Sequence, residues 1–316
     1  MTNAQHPSEA TTEKLLSVVM PTLNAAATIG EALGSLVGQL DALEAIVVDG
    51  GSRDATAAIA GGFPLARVIS APGSSIYEAL NLAIAAARAP AIAWLNADDL
   101  FLPGALPAML AALAGSPEAD IVRGRPEFIH SGSAGWQAHD RPIEARAAGP
   151  LALKQITRGP LAINTMLFRR SVLDEVGPFD TSLRLSSDRD WMLRAWRRGV
   201  RIREIDRTVY CYRVHGGSHT LDPARRGHRR ARDEHAVLLG RLLPEVRHLP
   251  PRDPLRVELR RWHAVETALR LQAAGGWRAA LGVLAEAGRA DPAWPFILGG
   301  QVAGLVADRL ADRRRR

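Results

Sequence analysis

An apolar run ends in two adjacent carboxylates in Ala91-Ile-Ala-Trp-Leu-Asn-Ala-Asp-Asp-Leu-Phe101, and this is where the residue types first suggest chemistry. Aspartate is depleted in strands and seldom buried alone, so Asp98 and Asp99 require a solvent rim, a cationic partner or a metal. Hard divalent cations such as Mg²⁺ and Mn²⁺ take oxygen ligands and sit between carboxylates and a substrate's phosphates. A structural reading competes with this one, because either aspartate can cap a helix starting near Pro103. A second polar cluster, Asp49-Gly-Gly-Ser-Arg-Asp54, has the same two sides. Gly50 and Gly51 permit a tight turn close to a ligand, and Asp49 can accept from a base N–H or a ribose hydroxyl. An ordinary strand-to-helix turn capped by Ser52 or Asp54 explains those residues equally well. A third cluster, Ser187-Asp-Arg-Asp190, heads a helical pattern through Trp191, Leu193 and Trp196. There Asp188 and Asp190 are stabilised by the helix dipole, and spacing alone does not separate a capping role from a chemical one.

These clusters are positioned by a regular alternation. Leu15–Met20 and Ala45–Val48 are β-rich runs, with Val68–Ser70 and Ala91–Leu95 as third and fourth strands. Between them Ile29, Leu33, Leu36, Val37 and Leu40 fit a helix within Ala25–Leu40, Ala55–Ala60 begins another, and Ile76–Arg88 is a third. The β-α-β-α-β-α-β order points to an α/β fold with a parallel sheet covered by helices. Ligands in such sheets lie beyond the carboxyl ends of the strands. Pro21–Asn24, Asp49–Asp54 and Asn96–Asp99 all fall there. A dinucleotide fold is excluded because Pro21-Thr-Leu-Asn24 has no glycine where G-x-G-x-x-G belongs, and a nucleotidyltransferase lacks its glycine-rich loop for the same reason.

Composition narrows the class. The 316 residues suffice for a large core, and the one cysteine, Cys211, excludes an intramolecular disulfide and a Cys-based zinc site. Met1–Glu13 is polar, without a basic region followed by an apolar stretch, which sets the expectation of a cytoplasmic protein. The net charge of +7 is unevenly placed: residues 221–316 carry 19 Lys plus Arg against 11 Asp plus Glu, and the remainder carry 21 against 22. The first two thirds are therefore not a nucleic-acid surface. The basic tail either rests at an anionic membrane or acidic partner or is a solvated helical surface.

Together the motifs resemble family 2 glycosyltransferases of the GT-A fold, of the kind that build bacterial polysaccharides and cell envelopes. Leu16-Ser-Val-Val-Met-Pro-Thr-Leu-Asn24 is similar to that family's opening strand and loop, and Val47-Val-Asp-Gly-Gly-Ser-Arg-Asp54 to its D-G-x-S-x-D turn. Ser75-Ile-Tyr-Glu-Ala-Leu-Asn81 resembles its helix over the nucleotide, and Leu95-Asn-Ala-Asp-Asp99 its DxD segment, with Asn96 where many members have an acid. The resemblance implies an inverting transfer of a sugar from a UDP-, GDP- or dTDP-linked donor to a saccharide or lipid-linked acceptor. It places Pro21, Thr22, Asn24, Asp49, Ser52 and Asp98 at the nucleotide sugar. It assigns Asp98, Asp99 and His215, from Arg213-Val-His-Gly-Gly-Ser218, to a divalent cation, Mn²⁺ or Mg²⁺. The frame S-D-x-D-W-x-L-R makes Asp188 the catalytic base, with Ser187 where members carry Glu and Asp190 as reserve. The alternative is a module that binds nucleotide sugars without chemistry, suggested by Asn96 and Ser187.

The expected organisation is a GT-A domain over residues 14–220 with a mostly parallel sheet, then a basic α-helical extension over 221–316. In the extension Leu255, Leu259, Trp262, Val265 and Leu269 share one helical face, and Trp277, Leu281 and Leu284 another. Residues 292–307 carry no charge but include Pro295 and three glycines, and fit a helix packed on its neighbours or lying at an interface. Trp136 can pack or stack on a sugar face.

Overall fold

The structure is a computed structural model and describes residues 14–132, 135–138, 152–159, 161–214, 226–274 and 277–297. The chain divides into two compact units. One draws on Met1–Pro150, Ala162–Phe179 and Gly199–Arg213, and the other on Leu151–Leu161, Asp180–Arg198 and Val214–Arg316.

The first unit opens with β1 (Leu16–Thr22), α1 (Ile29–Gly34), β2 (Leu43–Asp49), α2 (Thr56–Gly61), β3 (Ala66–Ser70), α3 (Ile76–Ala86) and β4 (Ala91–Trp94). β2 is buried along its whole length, and β1 along nearly all of it, as strands covered on both faces require. The expected helix within Ala25–Leu40 is confined to α1. Beyond it the chain continues in i→i+3 turns such as Leu36 N–H to Leu33 O, and Gly38 has a φ of 73° that no helix accepts. Ile29, Leu33 and Leu36 are still buried, and Val37 faces solvent. α3 starts with a capping box in which Ser75 and Glu78 each bond the other's amide, and these two bonds suit its sharp start.

The chain continues through β5 (Leu100–Phe101), α4 (Ala105–Ala114), β6 (Ile121–Gly132), β7 (Gly135–Ala138), α5 (Leu153–Thr157), β8 (Met166–Arg169), α6 (Arg170–Val176), α7 (Ser187–Arg197) and β9 (Ile202–Val214). The sheet order is β3-β2-β1-β4-β8-β6-β9-β5, with β7 paired to β6. β3, β2, β1 and β4 are mutually parallel, as the alternation requires. The other half departs from a mostly parallel reading: β8 is antiparallel to β4 and to β6, and β5 to β9. Antiparallel neighbours need no crossover helix, so irregular connections suffice after β4.

α5 and α7 belong to the second unit with α8 (Arg226–Glu245), α9 (Pro254–Gln272) and α10 (Trp277–Ala290). α9 begins at Pro254, and the Asp253 carboxylate accepts the amides of Leu255 and Arg256. Leu255, Leu259 and Trp262 are buried on its expected face. Glu258 ties α9 to α5, accepting from the Thr157 hydroxyl (2.7 Å) and from Arg158 Nε (2.8 Å). A buried Glu266 carboxylate receives Trp262 Nε1 and pairs with His235 Nδ1 at 2.8 Å. These partners hold the Glu266 carboxyl below its ordinary range despite its burial. The Trp277, Leu281 and Leu284 face of α10 is exposed among the described residues. Of residues 292–307, the described part ends at 297.

Candidate active site

The polar clusters of the first unit sit at the carboxyl ends of the parallel strands. Thr22 and Asp49 are direct partners in the β1–β2 register, and Asp49 is opposite Ser70 on β3. Pro21, one residue earlier, is opposite Val48. The two following loops are stitched together. Asn24 has a φ of 50°, in the left-handed region where Asn is tolerated. Its amide donates to Ser52 Oγ (2.8 Å), and its Oδ1 accepts the Arg53 amide (2.9 Å). The Ser52 hydroxyl and amide both donate to Asp49 Oδ1, at 2.5 and 3.1 Å. The turn depends on Gly51, whose φ is 96° and whose added Cβ would press on Pro72 at 3.2 Å. Thr22, Asn24, Asp49 and Ser52 thus form one cluster. Within it the Thr22 hydroxyl is buried and has no hydrogen-bond partner among the described residues. An orphaned buried hydroxyl is costly unless a ligand completes it.

The two aspartates after β4 have different environments. Asp99 is 3% exposed and both its oxygens are engaged. Oδ2 accepts from Tyr210 Oη and Asn96 Nδ2, each at 2.9 Å, and Oδ1 accepts the Arg213 amide at 2.9 Å. Asp98 is only partly buried. Neither caps the next helix, because α4 has Gly104 at its N-cap position and no side-chain cap. Arg213 also pairs with Glu31 at the start of α1. Tyr210 and Arg213 support this loop, a role that no motif in the sequence marks. The nearest signal is the aromatic-rich β9 sequence Tyr210-Cys-Tyr-Arg213, which is placed here by the pairing of Phe101 with Tyr210.

Burial, and then the charge of Asp98, push the Asp99 carboxyl up to about 7, against the hydrogen bonds that favour its ionised form. A group whose folded pKa is raised adds stability that is complete below its unfolded pKa and is lost as pH rises through the folded one. In chelator, the protein is therefore expected to lose stability as pH rises between roughly pH 4 and 7. Denaturant midpoints of wild type and Asp99→Asn across that window measure it. Equal pH slopes in the two proteins would show that Asp99 is not the source.

In the second unit Asp188 and Asp190 lie in the first turn of α7. Asp190 is engaged by Arg194 Nε at 2.9 Å, one turn along the helix. Asp188 Oδ1 accepts the Arg189 amide at 2.8 Å. His215 and the side chain of Trp136 lie outside the described residues.

A half-parallel, half-antiparallel sheet flanked by helices, with acids at the ends of its parallel strands, is the GT-A class of fold. Consistent with this, the structure superposes on S. aureus TarS 1-349 with a TM-score of 0.65 at 17% identity, covering 88% of this chain and 81% of that one. TarS 1-349 in complex with UDP-GlcNAc matches with the same score. The sequence model described as glycosyl transferase family 2 matches residues 17–177, and the chain belongs to that family. Among curated relatives, the succinoglycan biosynthesis protein ExoU of Rhizobium meliloti (strain 1021) is 30% identical over 220 residues, 64% of this chain and 62% of that protein. The match thus spans less than two thirds of that relative's length. EpsJ of Bacillus subtilis (strain 168), an uncharacterized glycosyltransferase, is 28% identical over 242 residues, covering 70% of this chain and 66% of its own.

Proposed function

We propose that the protein moves a sugar, with inversion, from a nucleoside-diphosphate sugar to an acceptor hydroxyl in the synthesis of a surface polysaccharide or glycolipid. Family membership, the succinoglycan relative and the TarS complex with UDP-GlcNAc support this reading. The observation that carries it is the buried Thr22 hydroxyl, without a partner among the described residues, beside Asp49. The nucleoside of the donor completes that hydroxyl, and Asp49, prearranged by Ser52, accepts from its base or ribose. Thr22→Val keeps the shape and removes the orphan. It is expected to leave the free protein as stable as wild type or more so, and to weaken donor binding about tenfold. Unchanged donor affinity in a calorimetric titration would remove Thr22 from the site.

A divalent cation fits the acids after β4. Among the described residues no three His, Cys, Asp or Glu side chains cluster to hold a metal alone, so remaining ligands come from diphosphate and water, as Mg²⁺ and Mn²⁺ prefer. Asp98, partly exposed where Asp99 is buried, would be its ligand, and His215 is a further candidate. A cation bound there neutralises charge on the leaving nucleoside diphosphate. Asp188 takes the proton of the acceptor hydroxyl as it attacks the anomeric carbon.

The protein works in the cytoplasm against an anionic bilayer, which it touches through its basic last third. Among the described residues no helix is long and apolar enough to cross a membrane. Trp277 and Phe296 are 69% and 82% exposed, Leu281 and Leu284 share the Trp277 face of α10, and the Arg278 guanidinium lies over the Trp277 ring. Such a face beside excess positive charge suits an anionic lipid surface. The protein is expected to float with phosphatidylglycerol vesicles and not with phosphatidylcholine ones, and to be released by salt. Equal flotation of a Leu281→Asp/Leu284→Asp variant, or self-association through this face instead, would contradict it.

A further inference from the structure

The helix that carries Asp188 is not capped by its own sequence. Ser186 stands at the N-cap of α7 without a side-chain cap, and the hydroxyls of Ser186 and Ser187 are both buried with no hydrogen-bond partner among the described residues. The loop that leads into α7, rather than its first turn, is held by an acceptor from the C-terminal helices. Glu234 on α8 accepts the Arg184 amide on Oε1 at 3.0 Å, and the amides of Leu185 and Ser186 on Oε2 at 2.7 and 3.0 Å. Three consecutive amides on one side-chain carboxyl group hold the backbone more firmly than a single serine cap can. On the other side of Asp188, the Arg189 guanidinium donates to the carbonyls of Ile156, Thr157 and Gly159 around α5. Asp188 therefore stands between two clamped neighbours.

We propose that Glu234 is a positioning residue for the base: it fixes the backbone of residues 184–186 so that the Asp188 carboxylate is held for proton transfer. This rests on Asp188 being the base. It makes α8 a working part of the transferase, although the family match ends at residue 177.

The test measures kcat, donor KM and amide exchange by mass spectrometry in Glu234→Ala and Glu234→Gln, with Asp188→Asn assayed beside them. Glu234→Ala is expected to lower kcat about 100-fold with donor KM within about twofold, as misplacement of a reacting group by roughly an ångström does. Exchange quickens at residues 184–187 while α8 and α9 stay protected. Glu234→Gln keeps an acceptor oxygen at the same reach and recovers about tenfold of the loss. If the alanine variant does not fold, the glutamine variant decides, with a kcat about tenfold below wild type at unchanged donor KM. Wild-type kcat in the folded variants overturns the proposal, and so does a loss of kcat with exchange quickened throughout α8 and α9. An inactive Asp188→Asn beside normal Glu234 variants defeats the positioning role alone. A fully active Asp188→Asn defeats the base assignment, whatever the Glu234 variants do.

Discussion

Asp188→Asn is expected to lower sugar transfer about 10³-fold, within the range a positioned general base supplies, and to leave donor affinity unchanged. A sugar hydroxyl is a poor nucleophile at neutral pH, and its proton must leave as the bond to the anomeric carbon forms. The amide of asparagine fills the same space and can accept a hydrogen bond, but it cannot take that proton. Asp188 lies in the first turn of α7, and Asp190, the other acid there, is held by Arg194. Asp190→Asn is accordingly expected to cost far less. Steady-state transfer assays with donor binding measured separately distinguish the two. An Asp190→Asn loss larger than that of Asp188→Asn would exchange their roles. Slow donor hydrolysis by wild type without acceptor would also rule out a module that only binds.

The second large effect separates neighbouring residues. Asp99→Ala leaves the Tyr210 hydroxyl, the Arg213 amide and the Asn96 side-chain amide without their acceptor in a buried site. At roughly 1–3 kcal/mol for each orphaned group, a loss of about 4 kcal/mol in folding stability is expected. Asp98→Ala removes a partly exposed carboxylate and is expected to cost less stability than Asp99→Ala. It should instead abolish the dependence of donor binding on Mn²⁺. Chemical denaturation and donor titration on both variants measure this contrast. A stable Asp99→Ala that has lost metal-dependent binding would make Asp99 the ligand.

The parallel half of the sheet was legible because its signal is local. Buried strands read as short unbroken apolar runs, and each is closed by a polar cluster that marks its carboxyl end. Pro21–Asn24 and Asp49–Asp54 were therefore placed at the strand ends from spacing, and the family resemblance singled out Thr22, Asn24, Asp49 and Ser52 within them. The antiparallel half was not legible, since β6, β8 and β9 pair across long separations that leave no period in the sequence. For that reason the distinction between Asp98 and Asp99 could not be read: it depends on Tyr210 and Arg213, more than 100 residues away. Glu234 was hidden in the same way, as one acid in an Arg-rich helix whose partners are backbone amides. α1 was overextended because its apolar spacing persists into turns broken at Gly38.

The most direct measurement of nucleotide-sugar binding at the strand ends is calorimetric titration of nucleoside diphosphates into wild type, Thr22→Val and Asp98→Ala, in Mn²⁺ and in chelator. Wild type should bind at least one nucleoside diphosphate in Mn²⁺. The affinity should fall about tenfold or more in chelator, in Asp98→Ala and in Thr22→Val. Binding of equal strength in all three proteins, with and without metal, would contradict a site built on Thr22, Asp49 and Asp98.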